Sequence, residues 1–229
     1  DAQESRGLGD VYKRQDVGMS QSGLLDFVFP SRCAVCEAQG ANLCQGCWEV
    51  LRPNPHKFER GPVTGSAATH FSPEVSKLIV AFKDRGQSAL VHELVELIRP
   101  LVFEVLQYRE IVYLVPAPSR AENFSRRGFT PSLLLARAIA KSASNARVMN
   151  CLVPGSSVKD QVGLTSTQRQ ANLSGTMSLN QKVSQKPCFV VDDVCTTGAT
   201  IMEAWRALTV AGANVVGALV VSEAKPAAS

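Results

Sequence analysis

Long hydrophobic runs and aromatic residues are both scarce in this chain. The longest uninterrupted apolar stretch lies within residues 215–221, far below the about 20 residues that a membrane-spanning helix needs. Aromatic residues make up 6% of the chain, so few rings are available for stacking against nucleic-acid bases. The sequence contains no internal repeat and no low-complexity tract. These absences argue against membrane insertion and against a repeat architecture.

The composition that is present is that of a folded protein. The chain has 229 residues, of which 45% are hydrophobic and 19% are charged, which is too apolar for a disordered chain. At about 150 residues per domain, this length allows one full core and a small appendage. Residues 1–18 are polar and show no periodicity. We therefore expect Met19 to be the natural start and 1–18 to be a non-native or disordered extension, and we expect a cytoplasmic location because no signal peptide is visible.

Positive charge is concentrated in the middle of the chain. The net charge is +4 overall, but residues 112–188 hold ten Lys and Arg against two acids, whereas residues 189–229 hold two against four. A basic region beside a small acidic one suits a polyanionic ligand that is held together with a metal ion. A solvated charged surface is the alternative interpretation.

Four of the seven cysteines lie close together in the sequence. They form two C-x2-C pairs seven residues apart: Cys33, Cys36, Cys44 and Cys47. Four converging thiolates are the ligand set of a structural zinc site with no open position. Two disulfides are the alternative, but they need an oxidising compartment. His56 or His70 could also replace one thiolate. Cys151 and Cys188 fall in apolar runs and are expected to be buried.

Strands and helices alternate in the second half of the chain. Buried strands are predicted at 111–115, 148–153, 189–191 and 214–221, with helices starting near Thr130 and Gly198. Upstream, Ser72-Pro73 marks a helix start, and a helical pattern over 88–107 is broken at Pro100. This alternation predicts an α/β fold with a mostly parallel sheet. The division that we predict is a cysteine module with its linker over 19–65, in which 53–65 is the linker, and an α/β body over 66–229.

The segment 189–200 carries the clearest chemical signal. A hydrophobic strand ends at Asp192 and Asp193, and a turn rich in threonine leads into a helix. Backbone N–H groups, hydroxyls and the positive end of the helix dipole can bind a phosphate, and Gly198 lets the backbone approach closely. Ionised carboxylates accept hydrogen bonds from sugar hydroxyls, so the pattern favours a sugar phosphate. The alternative is that the two acids only cap the helix. Cys195 is expected to be a small space-filling residue, although a helix start could acidify its thiol.

At these residues the chain resembles the type I phosphoribosyltransferases, whose motif for phosphoribosyl diphosphate (PRPP) has this form. Further segments resemble the ComF family, also called GntX-like. These segments, beside the four cysteines, are Lys83-Asp84-Arg85-Gly86, Arg126-Arg127-Gly128-Phe129 and Leu164-x4-Arg169-x2-Asn172-Leu173. The resemblance runs from about Met19 to Val221. It implies a type I phosphoribosyltransferase fold, a small N-terminal four-cysteine zinc module, and a role linked to DNA uptake and use.

The resemblance also implies a role for each residue of the motif. Asp192 and Asp193, the catalytic pair, would bind the ribose 2′ and 3′ hydroxyls. The 5-phosphate would be bound by the turn Cys195, Thr196, Thr197, Gly198, Ala199 and Thr200. The pyrophosphate loop would be Ala117, Pro118, Ser119 and Arg120, and the diphosphate would be contacted by Lys83, Arg126 and Arg127. For these basic residues, simple exposure to solvent is the alternative.

Two functions stay open at this point. The first is a Mg²⁺-dependent phosphoribosyltransferase with an unknown acceptor, in which catalysis would come from positioning and electrostatics and no general base is assigned. The second is a non-catalytic adaptor or sensor of the same fold that acts with DNA or DNA-uptake proteins. The first predicts PRPP as the small-molecule substrate, bound with Mg²⁺, whereas the second predicts that the zinc module and the basic middle of the chain dock the partner. A structural Zn²⁺ in the cysteine module is expected in either case.

Overall fold

A six-stranded sheet organises the described part of the chain. The structure is a computed structural model, and it describes residues 31–119, 128–154 and 175–224. The strands of this sheet are β1 His56–Arg60, β2 Val63–His70, β3 Val112–Pro116, β4 Ala146–Val148, β7 Pro187–Cys195 and β8 Asn214–Glu223. They lie in the order β1-β2-β8-β7-β3-β4. Only the β1–β2 pair is antiparallel, so the predicted mostly parallel sheet is confirmed.

Helices cover both faces of this sheet. They are α1 Gln45–Leu51, α2 Pro73–Lys83, α3 Val91–Ile98, α4 Val102–Leu106, α5 Pro131–Ser142 and α6 Ala199–Val210. One buried cluster unites α2 to α5 with one face of the sheet and includes Cys33 and Leu51 of the cysteine module. A second cluster lies under α6 on the opposite face. No helix in the described ranges has the length and hydropathy to cross a membrane.

The predicted start of α2 is confirmed at the level of single hydrogen bonds. The hydroxyl of Ser72 accepts a hydrogen bond from the backbone N–H of Val75 at 3.2 Å, and Pro73 is the first helical residue. This is the usual N-cap arrangement, in which a side chain satisfies an N–H group that has no partner within the helix. The helix ends at Lys83, so this lysine lies at the C-terminal end of α2.

The predicted break at Pro100 is also confirmed. The 3-10 turn Arg99–Leu101 separates α3 from α4, because proline cannot donate a backbone hydrogen bond within a helix.

The prediction of a linker over 53–65 is wrong. Most of this stretch forms β1 and the beginning of β2, which pair with Phe58 opposite Gly65. A β-carbon on Gly65 would lie 2.3 Å from the ring of Phe58, so this glycine makes room for a buried aromatic ring. We propose that the boundary between the cysteine module and the α/β body lies at 52–55, between α1 and β1.

The single strand predicted at 148–153 is divided in two. β4 ends at Val148 on the edge of the large sheet, and β5 Leu152–Pro154 pairs with β6 Met177–Leu179 in a separate two-stranded antiparallel sheet. The chain changes direction at Met149–Cys151, where Met149 still donates a backbone hydrogen bond to Leu114 at 2.9 Å. Apolar patterning alone does not mark such a change of sheet.

Candidate functional site

The four cysteines of the N-terminal module converge as predicted. Their sulfur atoms all lie within 4.8 Å of one another, and those of Cys36 and Cys44 are 3.6 Å apart. Tetrahedral zinc with Zn–S bonds of about 2.3 Å requires sulfur atoms about 3.8 Å apart. The sulfur of Cys33 also accepts a hydrogen bond from the backbone N–H of Cys44 at 3.4 Å. The arrangement therefore fits a structural zinc ion with four thiolate ligands.

The electrostatics of this cluster support the same ligand. Burial raises the pKa of the Cys33 thiol, but hydrogen bonds from the backbone of Cys36, Cys44 and Val35 outweigh it and lower the pKa to about 6. Burial and the neighbouring sulfur atoms raise the pKa of Cys47 well above its usual range. The Cys33 thiol therefore ionises more readily than the Cys47 thiol, because neighbouring negative charges repel one another. A cation bound between the four sulfur atoms would remove this repulsion and allow all four to ionise.

The two acids lie within β7, which continues past them to Cys195 and does not end at them as predicted, and they differ in their surroundings. Asp193 is buried, with 5% of its surface exposed, and Lys83 at the end of α2 lies 2.8 Å from one of its carboxylate oxygens and 3.0 Å from the other. Asp192 is partly buried and accepts a hydrogen bond from the backbone N–H of Asp193 at 2.9 Å. The structure therefore brings Lys83 to the acids, as the sequence predicts, but pairs it directly with one of them.

The pKa of the Asp192 carboxyl lies well above the usual range of an aspartate. Burial raises the pKa of its carboxyl to about 7, the charge of Asp193 adds to this effect, and Lys83 opposes it. Two neighbouring carboxylates in a poorly solvated site resist full ionisation together. A ligand that brings positive charge or hydroxyl donors to Asp192 would stabilise its ionised form.

A cleft of about 330 Å³ opens beside these acids. Its lining joins the pyrophosphate-loop candidates Ala117, Pro118 and Ser119 with Lys83, Asp192, Asp193, Thr196 and Thr200, and adds Pro131, Ser132 and Val194. These residues come from the end of α2, from the carboxyl ends of β3 and β7, and from the starts of α5 and α6. Ligands of open α/β sheets usually bind in such a crevice.

Ser132 is a residue that the sequence analysis missed. It is buried, and its hydroxyl donates a hydrogen bond of 2.6 Å to the backbone carbonyl of Ala117. Ala117 also donates its own N–H to the carbonyl of Val191 at 2.9 Å. These two bonds fix the loop after β3 next to the strand that carries the acids. The only signal in the sequence was the helix start at Thr130-Pro131, directly before Ser132.

The turn from Cys195 to Thr200 has the geometry that the sequence indicates. Gly198 has a φ of 78° and is the N-cap of α6, where it provides no capping side chain. Thr196 and Thr197 are exposed, and the hydroxyl of Thr197 accepts a 3.4 Å hydrogen bond from the N–H of Ala199. Cys195 is buried at the base of the turn, and burial raises the pKa of its thiol to about 11. Cys195 is therefore a neutral space-filling residue, as expected.

Arg60 supports this turn from β1, and sequence reasoning missed it as well. Its Nε donates a hydrogen bond of 3.2 Å to the backbone carbonyl of Thr196, and its guanidinium also binds Glu223 and the carbonyl of Ala224. A β-carbon on Gly198 would lie 2.7 Å from the side-chain stem of Arg60. The close approach that requires this glycine is therefore made by the protein's own arginine.

Three predicted basic residues cannot be placed. Arg120, Arg126 and Arg127 lie outside the described residues, as does the segment 164–173.

Two parts of the chain match known protein families. Residues 126–228 match the family model described as the phosphoribosyl transferase domain, and residues 24–58 match the double zinc ribbon domain. One part of the chain is thus similar to phosphoribosyl transferase domains and another part to double zinc ribbons. The predicted fold class is therefore confirmed, and the cluster of Cys33, Cys36, Cys44 and Cys47 lies within the matched ribbon. No curated protein matches the chain.

Similar solved structures include three phosphoribosyltransferases. An adenine phosphoribosyltransferase is 12% identical, with 77% of this chain and 89% of that chain covered and a TM-score of 0.42. The Saccharomyces cerevisiae adenine phosphoribosyltransferase is 15% identical, with 79% and 89% covered and a TM-score of 0.37. A Staphylococcus aureus hypoxanthine phosphoribosyltransferase is 12% identical, with 59% and 73% covered and a TM-score of 0.33. The fold assignment rests on the family match and the order of the strands.

Proposed function

We propose that this protein binds PRPP with Mg²⁺ in the cleft at the end of β7 and transfers its phosphoribosyl group. The observation that carries the proposal is the shared cleft of about 330 Å³. Two carboxylates for a sugar and two threonine hydroxyls for a phosphate line this one space, inside the region that matches the phosphoribosyl transferase domain.

Each part of the cleft has a distinct task in this proposal. Asp192 and Asp193 accept hydrogen bonds from the ribose hydroxyls, and the turn 195–200 surrounds the 5-phosphate with N–H groups and hydroxyls. Lys83 leaves Asp193 for the diphosphate, which offers it a larger negative charge. The loop Ala117–Ser119, fixed by Ser132, borders the same diphosphate. Arg120, Arg126 and Arg127 are proposed to add positive charge there.

The donor set fits a magnesium ion. Mg²⁺ prefers oxygen ligands and is usually held by one or two carboxylates together with substrate phosphates, and the cleft offers the carboxylates of Asp192 and Asp193. When bound, the ion supplies positive charge to the diphosphate that leaves.

Turnover is a separate question from binding. Among the residues that the structure describes, the titratable groups lining the cleft are Lys83, Asp192 and Asp193, and all three have tasks in holding PRPP. This favours, as a second candidate, a non-catalytic sensor or adaptor that binds PRPP without turnover. We further propose a ComF-type role linked to DNA uptake, with DNA or DNA-uptake proteins as partners, and a cytoplasmic location where four cysteines stay reduced.

Calorimetric titration with PRPP in the presence of Mg²⁺ tests the proposal. We expect one equivalent to bind the wild type, and Asp192→Asn and Asp193→Asn to weaken binding by about 10- to 100-fold, because a hydrogen bond to a charged group contributes about 1.5–3 kcal/mol. Glu59→Gln, at an exposed acid of β1, is the matched control and should bind normally. Absence of PRPP binding by the wild type overturns both candidate functions.

A screen of nucleobases and amines for pyrophosphate release then separates the two candidates. Release that needs an acceptor and is lost in Asp192→Asn supports the transferase. Binding without release from any acceptor supports the sensor or adaptor.

A further inference from the structure

A second group of metal-ligating side chains lies apart from the four cysteines. His56 at the start of β1, His70 at the end of β2 and Glu223 at the end of β8 place their ligand atoms within 4.8 Å of one another. The sheet register explains the meeting, because His70 pairs with Glu223 and β1 folds back antiparallel onto β2. The two histidines are thus not alternative ligands of the cysteine site, and neither proposed candidate function uses them.

The hydrogen bonding of His56 leaves one ring nitrogen without a partner. Its Nδ1 lies 3.2 Å from the backbone carbonyl of Asn54, and because a carbonyl can only accept, Nδ1 carries the proton. In the neutral ring, Nε2 then presents a lone pair. This Nε2 is buried and has no hydrogen-bond partner, and it faces a carboxylate oxygen of Glu223 at 3.6 Å.

The Nε2 lone pair of His56 and the carboxylate oxygen of Glu223 are both hydrogen-bond acceptors, so their contact is unfavourable unless a positive charge lies between them. The side chain of Glu223 is 6% exposed, so water screens the contact poorly. Arg60 neutralises one carboxylate oxygen of Glu223, while the other oxygen faces His56. Either a proton on His56 or a metal ion would resolve the contact. A hydrogen bond from Nδ1 to a backbone carbonyl is one of the usual arrangements that orient a metal-binding histidine.

We propose that His56, His70 and Glu223 form a second metal site, which takes a zinc-like divalent cation. Two imidazole nitrogens and one carboxylate oxygen suit Zn²⁺, and three protein ligands leave a fourth position for water. The rings of His56 and His70 are stacked with centroids 3.7 Å apart, and coordination of one ion by both rings requires the exposed His70 ring to turn out of this stack. The charge of Arg60 opposes the cation, and binding is therefore weaker than at the four thiolates.

Zinc titration of the full chain, with its cysteine-bound zinc in place, tests this proposal. At pH 7.5 we expect the wild type to bind one further equivalent of Zn²⁺, and His56→Ala and His70→Ala to lower that affinity at least about tenfold. His92→Ala removes the remaining histidine of the chain, which lies exposed on α3, and should bind like the wild type. Binding should also weaken as the pH falls, because protons compete with the ion for the imidazole nitrogens.

Retention of the cysteine-bound zinc and an unchanged circular dichroism spectrum show that each variant is folded. The proposal is overturned if the wild type takes up no further zinc, which would mean that a proton alone lies between His56 and Glu223. It is equally overturned if the folded His56→Ala and His70→Ala variants keep the wild-type affinity, or if His92→Ala loses it.

Discussion

The four-cysteine cluster and the cleft at the end of β7 are built in opposite ways. All four zinc ligands lie between Cys33 and Cys47, so two short turns bring them together, and Cys33 and Leu51 also pack into the main core. The lining of the cleft runs from Lys83 to Thr200 and meets only because α2, β3, α5 and β7 pack around one edge of the sheet. The first site is local and depends on a metal, whereas the second depends on the whole α/β body.

The largest effect that this comparison predicts is the loss of the cysteine module in Cys33→Ser. Structural zinc contributes about 10–16 kcal/mol in small zinc modules, and Cys33 is one of the four converging thiols that would hold it. We expect tightly bound zinc to fall from one per chain to near zero, and protease cleavage to begin within residues 31–52. Metal analysis after dialysis and limited proteolysis measure the two effects.

Cys151→Ala is the matched control for this change, because it removes a buried thiol outside the cluster. Its zinc content should equal that of the wild type. A Cys33→Ser protein that keeps its zinc and resists the protease would contradict the local character of the module.

A smaller loss of stability is expected from Gly198→Ala in the turn 195–200. This substitution introduces two kinds of strain, one from the backbone conformation and one from contact with Arg60. Any residue other than glycine costs about 1 kcal/mol at such a φ, and here the new β-carbon would also meet the stem of Arg60 at 2.7 Å. We expect a loss of unfolding free energy of about 2–4 kcal/mol and PRPP binding weakened at least tenfold. Thermal unfolding and calorimetry give these values.

Gly212→Ala isolates the backbone part of that cost. Gly212 has a φ of 84° with nothing within 4 Å of its β-carbon position, so only the conformational cost of about 1 kcal/mol applies and PRPP binding should not change. Equal losses in the two variants would show that Arg60 does not press on the turn.

The smallest predicted effect concerns Lys83, whose two partners compete. Lys83→Met removes the cation beside Asp193, and we expect PRPP affinity to fall about three- to tenfold because one charge to the diphosphate is lost. Lys77→Met, on the same helix, removes a lysine that binds the carbonyl of Val35 at 3.2 Å and should leave affinity unchanged. Tighter PRPP binding by Lys83→Met would mean that this lysine blocks the cleft and does not serve it.

The same contrast explains what could be predicted from the sequence. The spacing of Cys33 to Cys47 and the order strand, Asp192-Asp193, turn, helix are local patterns, and both were found. Ser132 and Arg60 were missed because their partners lie far along the chain, 15 residues away for Ser132 and 136 for Arg60. Packing of α5 beside β3 brings Ser132 to Ala117, and the assembled sheet brings Arg60 to Thr196.

The error over 53–65 has a related cause. β1 is an edge strand with a single buried residue, Phe58, so its sequence has no alternation strong enough to predict a strand. Its pairing depends on Gly65, which an analysis of composition assigns to a loop. The histidine at the start of β1 was likewise read as a possible partner of the cysteines, whereas pairing with β2 places it beside His70 and Glu223.

A structure of the protein with PRPP and Mg²⁺ tests the central claim most directly. The account predicts the 5-phosphate within the turn 195–200, the ribose hydroxyls on Asp192 and Asp193, and Lys83 moved from Asp193 onto the diphosphate. A complex in which Lys83 stays on Asp193 and the ligand lies elsewhere would contradict it.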